Sequence, residues 1–143
     1  MKILISSCLL GCKCRYDGIT QKQNDLHKLI ENNYIIPFCP EQAGGLPTPR
    51  KPCEILNNKI VSQDNEDFTN NFTSGAIETL RICKLYNIKY AILKSKSPSC
   101  GYGKIYDGTF SKTLINGNGI TAKLLSDNGI KIYNELNYIE IFN

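Results

Sequence analysis

The chain has 143 residues, enough for one domain with one hydrophobic core, and no apolar run is long enough to cross a bilayer. Hydrophobic residues make up 41% and charged residues 21%, which argues against a disordered chain. The net charge of +4 comes from dispersed Lys and Arg residues, so it does not indicate a nucleic-acid groove. Since the N-terminus shows no signal-peptide cleavage pattern, we expect a cytoplasmic protein.

The first part of the chain predicts two short strands with a helix between them. Residues 2–7 (KILISS) and 34–38 (YIIPF) are apolar runs typical of buried strands. Apolar residues at helical spacing predict the helix over 24–33. Residues 37–52 hold five of the six prolines, so this segment is predicted to be a stiff loop that is neither helix nor central strand.

The rest of the chain predicts further strands and helices in alternation. Periodic apolar residues mark the helices, and short apolar runs bounded by polar or glycine residues mark the strands. The predicted elements are a hairpin over 54–62 with Asn57–Asn58 at its turn, a helix over 67–87, a strand over 88–94, a helix over 120–127 capped by Gly129, and a strand over 130–134.

The order of these elements predicts an α/β fold in a single domain that spans residues 1–143. Alternating strands and helices are typical of a mostly parallel sheet with helices on both faces. This is the three-layer arrangement of Rossmann-like and flavodoxin-like proteins. Because the crossovers are right-handed, the C-terminal ends of parallel strands lie on the same edge of the sheet. Residues that follow the strands should therefore meet there.

Seven cysteines and one histidine are the unusual features of the composition. An odd number of cysteines cannot all pair, and a reducing cytoplasm disfavours disulfides. Since His27 is the only imidazole, a zinc site rich in histidine is excluded. Any metal would therefore be held mainly by thiolates.

Three cysteines follow the ends of three predicted strands. Cys8 follows the first strand, Cys39 follows the second, and Cys100 lies six residues beyond Lys94, where the third ends. Ligands of open α/β sheets bind at this edge, so the fold can bring together cysteines that are distant in the sequence. An iron–sulfur cube held by three thiolates keeps one iron open, whereas electron carriers hold the cube with four. We therefore predict a catalytic iron–sulfur site on these three cysteines.

Several alternatives stay open at this level. The local set Cys8, Cys12 and Cys14 is a competing ligand set, one residue short of the CxxxCxxC spacing of radical enzymes. Cys83 lies on the apolar face of a predicted helix and is interpreted as a core residue, while the role of Cys53 is undecided. A metal-free thiol enzyme and a module with a purely structural metal are the two other classes of protein.

Two polar side chains near these cysteines are candidates for catalysis. Glu41 lies two residues after Cys39 and can act as a general acid or base, or pair with Arg50 as a structural carboxylate. Ser97 precedes Cys100 by three residues and can donate a hydrogen bond to the site or shape a turn.

Four segments in order resemble the thiouracil desulfidase family over nearly the whole chain: SSCLLG with CRYDG, CPEQAGGLPTPR, LKSKSPSCG and IYDGTF. Members of that family carry a [4Fe–4S] cluster on three cysteines and remove sulfur from thiolated uracil compounds without net redox chemistry. Position by position, the resemblance implies Cys8, Cys39 and Cys100 as cluster ligands. It implies Glu41 and Ser97 as catalytic residues.

The resemblance also implies the reaction and the partners. The fourth iron, open to the substrate, would polarise the C=S bond as a Lewis acid while Glu41 activates water or relays a proton. The products would be the uracil compound and sulfide. Expected partners are a small thiolated uracil base or nucleotide, such as 4-thiouridine monophosphate, and the cluster-assembly machinery. The chain departs from the family pattern at Ser7, where Ala is usual, and at Cys12, which is an addition.

Overall fold

The structure, a computed structural model, describes residues 1–20 and 25–143 and shows an α/β fold with a mainly parallel sheet. The strands are β1 (Lys2–Ser6), β2 (Tyr34–Phe38), β3 (Cys53–Leu56), β4 (Lys59–Ser62), β5 (Tyr90–Ile92), β6 (Lys104–Tyr106), β7 (Leu114–Asn116) and β8 (Lys131–Tyr133). The α-helices are α1 (Pro40–Ala43), α2 (Thr69–Leu85) and α3 (Ile120–Asp127), and 3-10 helices cover Ser7–Leu10, Leu26–Glu31 and Tyr138–Phe142.

The central sheet has four strands in the order β2–β1–β5–β8, and each neighbouring pair is parallel. The chain passes from β1 to β2 on one side and then to β5 on the other side, so the strand order reverses at β1. Ligands bind at such a switch point in open α/β sheets. Pro37 lies in β2, an edge strand, where a residue without an N–H is tolerated. The predicted parallel sheet is confirmed.

Different kinds of helix cover the two faces of the central sheet. Successive side chains of a strand point to opposite faces, so Leu4 packs on one face while Ile3 and Ile5 pack on the other. The first face buries side chains of α2 and α3, such as Cys83 and Leu125. The second face buries side chains of the 3-10 helices: Leu9, Leu26 and Tyr138. None of the helices in the described part of the chain has the length and apolarity that a bilayer span requires.

The predicted helix over 24–33 is a 3-10 helix, Leu26–Glu31, and Asn24 lies outside the described residues. Leu26 is fully buried and Leu29 packs against the same core cluster, whereas Ile30 is 56% exposed. Residues three apart eclipse each other in a 3-10 helix, so this geometry places both leucines on the sheet. The helical spacing therefore predicts a helix and the inward position of its two leucines correctly, but it does not predict the 3-10 geometry or the exposure of Ile30.

Two expectations about loops are wrong. Residues 37–52 contain α1 (Pro40–Ala43), because Pro40 stands at the first helical turn, where proline costs no hydrogen bond. The segment after Lys94 contains the antiparallel pair β6–β7, which the sequence did not indicate. Every residue of β7 is exposed, so this strand has no buried face and shows no alternating apolar pattern.

The other elements agree with the prediction. β3 and β4 form the expected hairpin, and both turn residues, Asn57 and Asn58, have positive φ angles of 51° and 62°. α2 and α3 lie where the apolar periodicity placed them. Gly129 follows α3 with a φ of +82°, the left-handed conformation expected of a helix C-terminus.

A close contact between backbones fastens α1 to α2. A Cβ atom added at Gly75 in α2 would lie 1.9 Å from the carbonyl oxygen of Pro40. A Cβ atom added at Gly44, just after α1, would lie 2.0 Å from the carbonyl oxygen of Asn71. These distances are far shorter than a carbon–oxygen contact, so only glycine fits at both positions. The turn that carries Cys39 is thereby held against a long helix.

Replacing Gly75 with Ala is expected to lower the free energy of unfolding by about 1–3 kcal/mol, the usual cost of overpacking. At an open helical position the same change would stabilise by about 1 kcal/mol, because Ala is the better helix former. Urea denaturation measures the difference. Ser74→Ala, at the exposed neighbouring position, should stay within about 0.5 kcal/mol of the original protein. Equal stability of the two variants would contradict the close contact.

Candidate active site

A cavity of about 360 Å³ opens at the C-terminal edge of the central sheet, next to the switch point. The segments that follow β1, β2 and β5 line it, together with Arg50 and Tyr106. All five residues selected from the sequence lie in its wall: Cys8, Cys39, Glu41, Ser97 and Cys100. The exposed side chain of Lys96 is also part of the wall, so the cavity reaches the surface.

Cys8 lies in the 3-10 helix that follows β1 directly, and it is 9% exposed. Gly11 ends that helix with a φ of +93° and donates its backbone N–H to the carbonyl of Cys8 at 3.1 Å. The chain turns here through the left-handed conformation of Gly11, which glycine adopts without strain. The turn leads on to Cys14 in the same cavity wall.

Cys39 is the last residue before α1, and its carbonyl accepts the N–H of Ala43 at 3.0 Å. Its thiol donates to the carbonyl oxygen of Cys14 at 3.8 Å. The Cys14 side chain and burial raise the pKa of Cys39 far above its usual range. The side chain is therefore a protonated thiol in the folded chain.

Cys100 is 5% exposed and lies at the deep end of the loop after β5. The hydroxyl of Ser6 donates to its sulfur at 3.6 Å, and its backbone N–H donates to Ser97 Oγ at 2.7 Å. Burial raises the pKa of Cys100 to about 12, although the Ser6 hydrogen bond acts in the opposite direction. Ser97 thus shapes the turn that presents Cys100, while its own hydroxyl proton can still donate into the cavity.

Glu41 and Arg50 form an ion pair at the cavity wall. Arg50 Nε donates to Glu41 Oε1 at 3.1 Å, and the side chains are 6% exposed for Arg50 and 19% for Glu41. Arg50 also donates to the carbonyls of Cys14 at 2.8 Å and Pro47 at 3.1 Å, and to Thr48 Oγ1 at 3.0 Å. Burial raises the pKa of Glu41, and the charge and hydrogen bond of Arg50 oppose that shift. A carboxyl group held in this way in a cavity wall can serve as a general acid or base.

Removing the Arg50 side chain is expected to lower the free energy of unfolding by about 3 kcal/mol, because it leaves the Glu41 charge buried without its partner. Denaturant titration of Arg50→Ala measures this loss. The matched control is Arg81→Ala, which breaks an exposed pair with Glu78 at 2.9 Å and should cost less than about 1 kcal/mol. If both variants lose the same small amount, Arg50 does not hold the cavity wall together.

The other four cysteines differ in burial and in whether they line the cavity. Cys14 is 4% exposed and lines the cavity, although the resemblance did not select it. Cys12 is exposed and is not among the residues that line the cavity, unlike the other two members of the local set, Cys8 and Cys14. Cys83 is 1% exposed in the core, as predicted, and Cys53 is half-buried in β3. Within residues 1–20 and 25–143, no three His, Cys, Asp or Glu side chains are placed to hold a single metal ion.

Sequence reasoning did not identify some polar groups of the cavity wall. Lys94 Nζ donates to Glu135 Oε1 at 2.6 Å, and the N–H of Ser95 donates to the other oxygen of that carboxylate at 3.0 Å. Glu135 is 9% exposed, and the hydrogen bonds from Lys94 and Ser95 overcome its burial and lower its pKa. Glu135 stands far along the chain after β8, so only the fold reveals that it fixes the loop leading to Cys100.

Comparison with known proteins identifies the family. Residues 3–137 match the sequence profile of the family described as 2-thiouracil desulfurase. The uncharacterized protein YbbK of Bacillus subtilis (strain 168) is 43% identical over 149 aligned positions, which cover 96% of this chain and 99% of that protein. A solved structure of the [4Fe-4S]-dependent thiouracil desulfidase TudS is 41% identical, with a TM-score of 0.93, covering 99% of this chain and 95% of that chain. The chain belongs to the 2-thiouracil desulfurase family, which confirms the resemblance found in its motifs.

Proposed function

We propose that this protein is a [4Fe–4S]-dependent desulfidase that removes sulfur from thiolated uracil compounds and releases sulfide and the uracil compound. The observation that carries the proposal is the meeting of Cys8, Cys39 and Cys100 in one cavity at the C-terminal edge of the sheet. Membership of the 2-thiouracil desulfurase family and the likeness to a [4Fe-4S]-dependent desulfidase support it.

The donor chemistry of the cavity fits an iron–sulfur cluster. Cys8, Cys39 and Cys100 are free thiols on three separate loops, and thiolates are the ligands that such clusters take. The thiols of Cys39 and Cys100 keep their protons in the folded chain, so ligation would release them. We assign these three cysteines as the ligands, with the fourth iron open to the substrate. When bound, the cluster would supply a Lewis-acidic iron that polarises the C=S bond.

Glu41 is the acid–base group of the proposed reaction. Its carboxylate lies in the same cavity wall as the three thiols, and Arg50 holds one of its two oxygens. The other oxygen can take a proton from the water that attacks the ring carbon and pass it on to the departing sulfur. The raised pKa of Glu41 suits both halves of this transfer.

Ser97 has a double role in the proposal. Its Oγ accepts the N–H of Cys100 and so fixes the backbone of a ligand residue. Its hydroxyl proton can donate to the substrate, which orients the ring for attack. We therefore expect Ser97 to contribute less to the rate than Glu41.

The proposal extends to the setting of the protein. Residues 1–143 form one desulfidase domain, a three-layer unit of the Rossmann-like or flavodoxin-like kind with 3-10 helices as one outer layer. The substrate is a small thiolated uracil base or nucleotide rather than a nucleic acid, since the cavity is about 360 Å³. The protein works in the cytoplasm, where thiols stay reduced and cluster-assembly machinery can load it.

Iron and sulfide analysis of anaerobically purified protein, followed by a sulfide-release assay, tests the function. We expect about four irons and four sulfides per chain, and release of sulfide from 2-thiouracil or 4-thiouracil compounds. Sulfide release without bound iron would favour a metal-free thiol enzyme. Iron without sulfide release from any thiolated uracil compound would favour a binding module, and would overturn the proposal.

A further inference from the structure

Cys14 is a buried thiol in the cavity wall to which the proposed reaction gives no role. It shares that wall with two of the proposed ligands, Cys8 and Cys39. Its carbonyl oxygen receives the Cys39 thiol at 3.8 Å and Arg50 Nη2 at 2.8 Å. The loop that carries Cys14 is therefore fixed against the turn that carries Cys39.

Cys39 is the partner that the contacts favour. The Cys39 thiol lies 3.8 Å from the carbonyl oxygen of Cys14. Arg50 joins the same two segments, because it donates both to that carbonyl and to Glu41, two residues after Cys39. The nearby Cys100 thiol is engaged by Ser6 and Ser99 instead. Two thiols that line one cavity, on segments fastened together by these hydrogen bonds, are placed to form a bond between their sulfurs.

We propose that Cys14 and Cys39 form a disulfide when hydrogen peroxide strips the iron–sulfur cluster from the protein. One thiol reacts with peroxide, the O–O bond breaks, and a sulfenic acid and one water form. The second thiol attacks that sulfur, the S–O bond breaks, and the S–S bond forms with release of a second water. Two thiols are oxidised by two electrons in total, and one peroxide is reduced to two waters.

The disulfide would preserve a ligand residue for later reloading. A lone sulfenic acid at Cys39 is oxidised further to sulfinic acid, which thiol reductants do not reverse. A disulfide stops the oxidation at a step that a thiol reductant reverses. This inference rests on the proposed function only where it assigns Cys39 to the cluster, since the pairing itself needs the two thiols and peroxide alone.

The experiment starts from anaerobically purified full-length holoprotein, treated with excess hydrogen peroxide until the iron is released. Remaining thiols are alkylated, and the protein is digested with pepsin at acid pH, where disulfides do not exchange. We expect a cross-linked peptide pair that joins Cys14 to Cys39 and lacks two hydrogen atoms. After a thiol reductant is added, iron and sulfide should restore the cluster absorbance.

The Cys14→Ser variant is the decisive comparison, and Cys53→Ser is the matched control. Cys14→Ser should purify with its cluster, but peroxide should then add two oxygens to Cys39 and make the loss of cluster absorbance permanent. Cys53→Ser should behave as the original protein does. Three results would overturn the inference: sulfinic acid at Cys39 to the same extent with and without Cys14, pairing of Cys39 with Cys8, or a Cys14→Ser protein that purifies without iron when the original protein carries it. If the original protein purifies without iron but peroxide still pairs Cys14 with Cys39, the cluster is refuted and the pairing stands.

Discussion

Replacing Cys8, Cys39 or Cys100 with Ser is expected to abolish cluster binding, so that each variant loses its bound iron, its acid-labile sulfide and its desulfidase activity. A serine hydroxyl is a hard donor and a poor replacement for a soft thiolate, and two remaining thiolates do not enclose the cluster. Because the three cysteines come from three different loops, each replacement removes the one ligand that its loop contributes to the proposed set. Iron and sulfide content of anaerobically purified variants measures the loss.

Cys83→Ser is the control for these substitutions, because Cys83 is a buried thiol on the core face of α2 and does not line the cavity. It should retain its iron while the free energy of unfolding falls by about 1–3 kcal/mol, the cost of burying a hydroxyl without a partner. Normal iron content in the Cys8, Cys39 or Cys100 variant would rule out the ligand assignment for that residue.

Glu41→Ala is expected to lower the turnover of thiolated uracil roughly a hundred- to ten-thousand-fold, the usual contribution of a general acid or base. The iron should stay, since Glu41 is assigned to proton transfer and not to ligation. A sulfide-release assay measures the rate, and the visible absorbance of the same sample reports the cluster. Retained colour together with lost activity is the expected combination.

Two further variants separate the roles within the site. Glu41→Gln keeps an oxygen for the hydrogen bond from Arg50 but cannot take a proton, so it should be as slow as Glu41→Ala. Ser97→Ala should keep the cluster and lose less activity. A Glu41→Ala protein that works at the normal rate would leave the mechanism without its acid–base group. Loss of iron in that variant would show instead that Glu41 contacts the fourth iron when substrate is absent.

The sequence predicted the central sheet well because its strands carry two independent signals. Each strand is a short apolar run, and each is followed by a polar loop, so both the strand and its end are visible. The parallel arrangement then follows from the alternation with helices. This is why the sequence alone predicts Cys8, Cys39 and Cys100 at one edge of the sheet, and the structure places all three in one cavity wall.

The sequence failed where contacts between distant segments decide the geometry. α1 packs against α2 because Gly44 and Gly75 let the two backbones touch, and neither glycine reveals that contact in the sequence. Glu54 is a second case, since its buried carboxylate accepts the N–H groups of Gly108 and Phe110 at 3.0 and 3.1 Å. Cys14 is the third, because a cysteine near Cys8 in the sequence gives no sign that it contacts Cys39. The roles of the five selected residues stay predictions that the variants above would test.

The wide spacing of the three proposed ligands has a consequence for how the protein is made. Cys8 and Cys39 leave the ribosome early, but Cys100 emerges only after more than two thirds of the chain has been synthesised. The three thiols approach one another only when β1, β2 and β5 have aligned in the sheet. A compact local motif can capture iron while the chain is still unfolded, whereas this arrangement cannot. With these three ligands, cofactor insertion is expected to follow folding, and a chain truncated before β5 would lack Cys100 and with it the complete ligand set.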